Sequence, residues 1–357
     1  MTNYPEFTLA AIQAAPVYLN LDASTEKACQ LIEEAAQKGA VLAAFGEHWL
    51  PGYPFFQRYS NPLWNRAFAD YLANAVEIPS PTTDRLCQAA RKAGIDVIIG
   101  VAERDARTQG TVYCTLLFIG REGKILGRHR KLKPTSSERM VWGDGDGIGL
   151  RVYERPYGRI SGLNCYEHMM LLPSYSLMAQ GTQIHIAVWP HLTGLAESSP
   201  MALLLSRVFA IQGACYVMAI RCLLRPVDVP EYCRESVGEG WTGPGYRGSS
   251  CIINPVGDFI AEAANDEEEI LTARITLEPV AHAKAIVDVG GHYSRPDVLQ
   301  LHMKDYPPER PIYSAGVDIG TKTIVDVPAT ANVTVPSRAW EAQQEVVTTE
   351  TPREQLG

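Results

Sequence analysis

At 357 residues, with 46% hydrophobic and 20% charged residues, the chain describes a globular protein with a large core, long for one domain but within reach of a single α/β unit. A net charge of −8 and a pI near 5.6 argue against nucleic acid or an anionic membrane surface as a partner. No apolar run approaches the ~20 residues of a membrane span. The start Met1-Thr2-Asn3-Tyr4-Pro5-Glu6 has no basic n-region and no signal-peptide core, so a cytoplasmic protein is expected.

The elements follow in order. Residues 7–15 read as a short apolar strand, and 22–38 as a helix with Ala28, Leu31, Ile32 and Ala35 on one face and Gly39 as its stop. Residues 41–45 are an apolar run ending at Gly46-Glu47, followed by a loop, Pro51-Gly52-Tyr53-Pro54. Helices are expected over 61–76 and 83–93, and strands over 96–101, 112–119 and 124–129. A loop covers 131–149, followed by strands over 150–153 and 158–163. Beyond Cys165 the spacing of Met170, Leu171, Ser174 and Met178 predicts an amphipathic helix over 167–180. Then come a strand over 183–189, a helix over 200–212, a strand over 215–222, a hairpin of 249–254 with 259–263 around Pro255-Val256-Gly257-Asp258, a strand over 270–275 and a helix over 280–287. Strands mixed with covering helices in both halves imply sheets with helices on their outer faces. From about Thr321 the chain loses periodicity and fills with Thr, Val, Pro, Glu and Gln. Residues 1–320 are therefore expected to form one catalytic domain, and 321–357 a loosely ordered tail or assembly arm.

Eight cysteines are scattered along the chain with no C-x-x-C pair, the pattern of reduced thiols in a large chain without a signal. No metal-ligand spacing stands out, and Gly143-Asp144-Gly145-Asp146-Gly147 lacks the Lys-Ser/Thr ending of a phosphate loop. Cys165 differs from the other cysteines in its position. It stands between a strand end and a helix start, where unpaired N–H groups and a partial positive charge favour thiolate over thiol, and where the Tyr166 N–H would face an anion beside the sulfur. The ordinary alternative is a small buried hydrophobe. Glu47 closes an apolar run, at the strand edge where α/β proteins hold ligands, and burial there would raise its pKa and suit it to general-base work. Lys131 follows a strand, within a basic group of Arg128, His129, Arg130 and Lys133 that could equally be a solvated face.

Taken together these residues resemble the nitrilase branch of the carbon-nitrogen hydrolase superfamily, whose members carry a glutamate, a lysine and a cysteine in that chain order. Phe45-Gly46-Glu47-His48-Trp49-Leu50-Pro51-Gly52-Tyr53-Pro54 is similar to the glutamate motif, and His129-Arg130-Lys131-Leu132-Lys133-Pro134-Thr135 with Trp142-Gly143-Asp144-Gly145 to the lysine motif. Gly162-Leu163-Asn164-Cys165-Tyr166-Glu167-His168 is similar to the cysteine motif, and Gly291-His292-Tyr293-Ser294-Arg295-Pro296-Asp297 to a signature near the C-terminus. Tyr166 stands where this branch usually has Trp, and Met169-Met170-Leu171-Leu172 is more apolar than its pattern. The resemblance implies an α/β fold, a four-layer α-β-β-α sandwich dimerising through helices into larger, often spiral, homo-oligomers. It implies hydrolysis of a small-molecule nitrile to acid and ammonia by Cys165, Glu47 and Lys131, with Glu138 holding the lysine and neither metal nor organic cofactor required. Tyr53, Trp142, Tyr166 and Trp189 are the aromatic candidates for the substrate wall. An amide hydrolase or a cyanide-degrading enzyme would use the same residues. A catalytically silent assembly protein on this fold would not need them intact.

Overall fold

Strand β2, Ala40–Phe45, shows why the fold is layered. Its Ala43 and Phe45 enter one apolar cluster, while Leu42 and Ala44 enter another. A strand that is apolar on both faces must be covered on both. The computed structural model describes residues 4–58, 60–190, 198–224, 226–234, 250–264 and 267–304. The other strands are β1 Phe7–Gln13, β3 Asp96–Arg104, β4 Val112–Gly120, β5 Lys124–Arg130, β6 Tyr153–Arg155, β7 Gly158–Asn164, β8 Ile184–Trp189, β9 Tyr216–Arg221, β10 Cys251–Ile253, β11 Phe259–Glu262 and β12 Glu269–Ile275. They form two six-stranded sheets, ordered β12-β1-β2-β3-β4-β5 and β11-β10-β9-β8-β7-β6. In each sheet three neighbouring strands run parallel, β1-β2-β3 and β7-β8-β9, and the outer strands pair antiparallel.

The sheets pack face to face through Leu9, Ala11, Leu42, Ile98 and Leu116 on one side and Ile160, Ile186, Met218 and Ile220 on the other. Helices α1, Leu21–Gln37, and α3, Pro81–Ala93, cover the outer face of the first sheet through Ala28, Ile32, Leu86 and Ala90. Asn20 caps α1 by accepting from the Ala23 N–H at 3.0 Å, and Gly94 ends α3 at φ +70°, a conformation that only glycine enters freely. Helix α2, Leu63–Ala73, joins an aromatic cluster that contains Tyr53, Phe56, Tyr71 and Trp142. Helices α4, Leu171–Ala179, and α5, Ser198–Gly213, close the second sheet through Leu177, Met178, Phe209 and Ala210. The order of layers is thus α-β-β-α, as the resemblance implied.

Although it comes late in the chain, β12 lies in the first sheet and pairs antiparallel with β1, from Phe7 opposite Ile275 to Gln13 opposite Glu269. Two expectations change. No single helix runs over 167–180. A 3-10 turn spans Cys165–Met169, Met170 is extended, and α4 begins at Leu171. Pro173 explains the break, because its ring clashes with the carbonyl four residues earlier and it has no N–H to donate there. Met170 and Leu171, placed above on a core-facing stripe, are exposed instead. The expected strand over 150–153 is likewise displaced to β6.

Among the described residues no helix is long and apolar enough to cross a membrane. Contacts divide the chain into Met1–Pro308 and Glu309–Gly357. All described residues belong to the first unit, and the tail expected over 321–357 lies outside them.

Candidate active site

Glu47 lies just beyond β2, with its backbone wedged between neighbouring strand ends. A Cβ on Gly46 would come within 2.6 Å of the Cys222 nitrogen, and one on Gly100 within 2.4 Å of both the Gly46 oxygen and the His48 nitrogen. Only glycine permits that approach at either position. The Cys222 thiol donates to the Glu47 carbonyl at 3.0 Å. Lys131 leaves the end of β5, its N–H bonded to the Cys114 carbonyl at 2.7 Å. Its side chain is completely buried, and its Nζ donates to Glu47 Oε1 at 2.9 Å and to Glu138 Oε2 at 2.8 Å. Glu138, on the 3-10 turn Ser136–Met140, also accepts from the Thr135 N–H at 2.6 Å and from the Tyr53 hydroxyl at 2.8 Å. Cys165 follows β7 at φ +50°, a left-handed conformation that costs a non-glycine residue free energy and that clusters at functional turns. Carboxylate oxygens of Glu47 and Glu138 and the Cys165 sulfur lie within 4.8 Å of one another. Three strand ends from two sheets therefore converge on one buried point.

That spacing would also suit a metal ion, but the Lys131 ammonium already sits between the carboxylates, where the cation would go. Burial alone would neutralise the lysine. The Glu47 carboxylate, and with it that of Glu138, outweighs burial and holds the ammonium well above its usual range. Burial pushes the Glu47 carboxyl up to about 7, with Lys131 pulling it down and Glu138 adding to the rise. Glu47 Oε1 is engaged by Lys131 and by the Cys114 thiol, which donates at 3.4 Å, while Glu47 Oε2 is buried with no partner among the described residues.

The thiol corrects one expectation. Burial raises Cys165 well above the ordinary cysteine range, against the pull of Lys131 and of the Tyr166 N–H. The turn after it is only five residues of 3-10 helix, too short for an appreciable dipole. The resting side chain is a neutral thiol next to a base.

Glu167, not singled out from the sequence, ties the two sheets together at this point. Its carboxylate accepts from the Leu132 N–H and from the Asn164 N–H, each at 2.8 Å, and pairs with His129 Nε2 at 3.0 Å. Burial would raise it, but His129 and the two backbone donors hold it below the usual carboxylate range. The sequence signal was an acid two positions after the cysteine and a histidine inside an apparently solvated basic run. Cys114 and Cys222 were missed as well, since a cysteine on a buried strand looks like any small hydrophobe.

The four aromatic candidates fall in different places. Tyr166, half-buried, stands beside the sulfur with its ring edge-on to Trp189 at 6.2 Å. Trp189 is buried, and its Nε1 donates to Ser206 Oγ at 3.2 Å. Trp142 lies beneath Lys131, whose Nζ is 5.4 Å from the ring centroid, and stacks on His48 at 4.1 Å. The hydroxyl of Tyr53 is committed to Glu138. The C-terminal signature, at Gly291–Asp297 in the sequence, is exposed, and its Arg295 pairs with Asp297 at 2.7 Å.

The layered fold and the buried cluster of acid, amine and thiol define a class of hydrolase, and comparison with known proteins agrees. The carbon-nitrogen hydrolase family model matches residues 8–285. The chain belongs to the carbon-nitrogen hydrolase family, in its nitrilase branch. It is 50% identical over 322 residues to "Nitrilase 2" of an unknown prokaryotic organism, covering 88% of this chain and 98% of that one. It is 38% identical over 304 residues to "Aliphatic nitrilase" of Rhodococcus rhodochrous, covering 83% and 82%. In structure it is similar to a nitrilase-superfamily protein of Saccharomyces cerevisiae, with a TM-score of 0.64 at 20% identity over 80% of this chain and 96% of that one, a likeness of fold.

Proposed function

We propose that this protein hydrolyses an organic nitrile to the carboxylic acid and ammonia, with Cys165 as nucleophile, Glu47 as base, Lys131 as cation and Glu138 as the group that holds the lysine. The observation that carries this reading is the Lys131 ammonium bridging two buried carboxylates beside a buried thiol. A nitrile carbon is a weak electrophile, and sulfur is the strongest nucleophile a side chain offers. Glu47 takes the thiol proton as the S–C bond forms, which keeps a thiolate from having to exist alone in a buried site. The electron pair leaving the C≡N bond gathers on nitrogen, which takes the proton held by Glu47 to give the thioimidate and leaves Glu47 ionised again. The Lys131 charge and the Tyr166 N–H stabilise that nitrogen as charge develops. Water, activated by Glu47, adds to the thioimidate carbon; ammonia leaves and a thioester remains. A second water releases the acid and restores the thiol. The sum is R–CN + 2 H2O → R–COOH + NH3, with no electron transfer and no step that needs a metal. Tyr166 contacts the R group, and Trp189 supports it from behind. Tyr53 and Trp142 act on Glu138 and Lys131 rather than on substrate.

The minimum unit is a dimer formed through the outer helices. On α4 and α5, Leu171, Leu172, Leu204 and Ile211 are more than half exposed, an apolar face of the kind that is covered in an assembly. The site is cytoplasmic on this reading. Ammonia release from a panel of nitriles, amides and cyanide tests the activity. Nitriles should exceed amides by orders of magnitude; release from amides alone, or from cyanide alone, would move the protein to one of the rival activities.

A further inference from the structure

The site described above leaves a chain of buried polar side chains unused beneath the nucleophile. Thr182 Oγ1 and Ser161 Oγ are 2.7 Å apart, and Ser161 Oγ is 2.8 Å from His185 Nδ1. His185 Nε2 is 3.0 Å from His168 Nε2, and His168 Nδ1 is 2.6 Å from the Cys165 carbonyl oxygen. All four side chains are buried. The Cys165 carbonyl fixes the direction of the bonds that link His168, His185 and Ser161. A carbonyl only accepts, so His168 Nδ1 carries the hydrogen. The neutral ring then offers a lone pair at Nε2, and His185 must donate to it from its own Nε2. His185 Nδ1 is left as an acceptor, so Ser161 donates to it. Burial keeps both rings neutral, with His168 held down to about 4 and His185 well below the usual histidine range. His185 lies flat on Phe209 at 3.7 Å, and His168 stacks on Trp189 at 5.2 Å, so neither ring can turn freely.

We propose that His168 and His185 are positioning residues that hold the Cys165–Tyr166 peptide so that its N–H faces the developing negative charge. In a trans peptide the C=O and N–H point in opposite directions. Fixing the Cys165 oxygen on His168 therefore aims the Tyr166 N–H at the other end of the same peptide. A neutral donor on the carbonyl also polarises the peptide and strengthens the donor at its other end.

This inference rests on Cys165 being the nucleophile, and its test reads that role apart from nitrile turnover. An aldehyde adds its carbonyl carbon to the sulfur, and the carbonyl pair moves to an oxygen that meets the same N–H. Iodoacetamide instead alkylates the sulfur with loss of iodide and has no such oxygen. In His185→Leu, kcat for a nitrile should fall ~10- to 100-fold with KM little changed, less than the loss of a whole anion donor. Inhibition by the matching aldehyde should weaken by the same factor, while alkylation of Cys165 by iodoacetamide keeps its rate. His185→Gln, which can still donate toward His168, should recover most of the loss. Ser161→Ala, a smaller change, should move kcat and aldehyde affinity together in the same direction, and it decides the matter if His185→Leu does not fold. Unchanged aldehyde affinity, or alkylation that falls in step with kcat, would overturn the proposal, the second because it would mean the sulfur itself had moved. A wild-type protein that releases no ammonia from any nitrile, yet whose aldehyde affinity drops in His185→Leu, would sink the substrate reading and leave this one standing.

Discussion

The resting proton inventory of the site is a neutral thiol, a charged lysine and a carboxyl near neutrality. A base works only when ionised, so kcat/KM should rise with pH along a limb near 7 as Glu47 loses its proton, and fall away below it. The groups facing Glu47 are Lys131, Glu138, Cys114 and Cys165. Of these, Cys114 donates to the carboxylate and favours its charged form, so Cys114→Val should move that limb to higher pH, and Cys114→Ser should bring it back. A pH–rate profile in which Cys114→Val shifts the limb downward would refute the assignment. Lys131→Arg keeps the charge but not the compact ammonium that fits between two carboxylates, so it should be nearly as damaging as Lys131→Ala. Lys133, paired with Asp144 at an exposed site, should tolerate alanine in the same assay. Glu47, Lys131 and Cys165 were legible in the sequence because each breaks an apolar run or ends a strand within a recognisable motif. Cys114 was not legible, since its thiol acts through a contact 67 positions away that no local pattern reveals.

At the scale of elements, the site depends on how β2, β5 and β7 end against each other. Glu167 is the tie, holding the start of the lysine loop and the end of β7 with one carboxylate. Glu167→Gln leaves one oxygen to serve two backbone donors and His129, and turns a buried acceptor into a misplaced donor. A loss of about 2–3 kcal/mol is expected, the scale of a buried charge-assisted hydrogen bond. Thermal unfolding would show it as a drop of several degrees, and an unchanged Tm would show that the tie is dispensable. Gly100→Ala should be worse, because its Cβ meets backbone on both sides and nothing there can swing away. The four-layer α-β-β-α order was what the family resemblance implied, and the strands and their covering helices were readable from apolar runs. The return of β12 to β1 was not, because pairing partners are chosen across the whole chain while the pattern of a strand records only its burial. The helix after Cys165 departs from its apolar spacing for a local reason: Pro173 cannot continue a helix from the preceding turn, so α4 starts at Leu171.

At the scale of the molecule, the proposed dimer places the apolar faces of α4 and α5 of two copies together. Leu204→Glu combined with Ile211→Glu, both at exposed positions, should leave a folded monomer in light scattering. Truncation after Asp318 should shrink larger assemblies and leave the dimer active. A full-length protein that is an active monomer at micromolar concentration would end the dimer proposal, and the cluster of half-buried Asp288 with exposed His292, Arg295 and Asp297 would then be an ordinary solvated face. The substrate's R group was not legible, because the sequence fixes the chemistry of the reacting atoms and says little about the shape around them. The covalent step at Cys165 is the centre of the account, and it can be weighed directly. Protein quenched during turnover of a slow nitrile, then digested and examined by mass spectrometry, should carry the acyl or imidoyl group of that nitrile on the peptide containing Cys165. The adduct should disappear in Cys165→Ala, with ammonia release lost, while Cys215→Ala and Cys251→Ala keep both. Ammonia release with no adduct on that peptide, and a Cys165→Ala protein that retains a tenth or more of the activity, would contradict it.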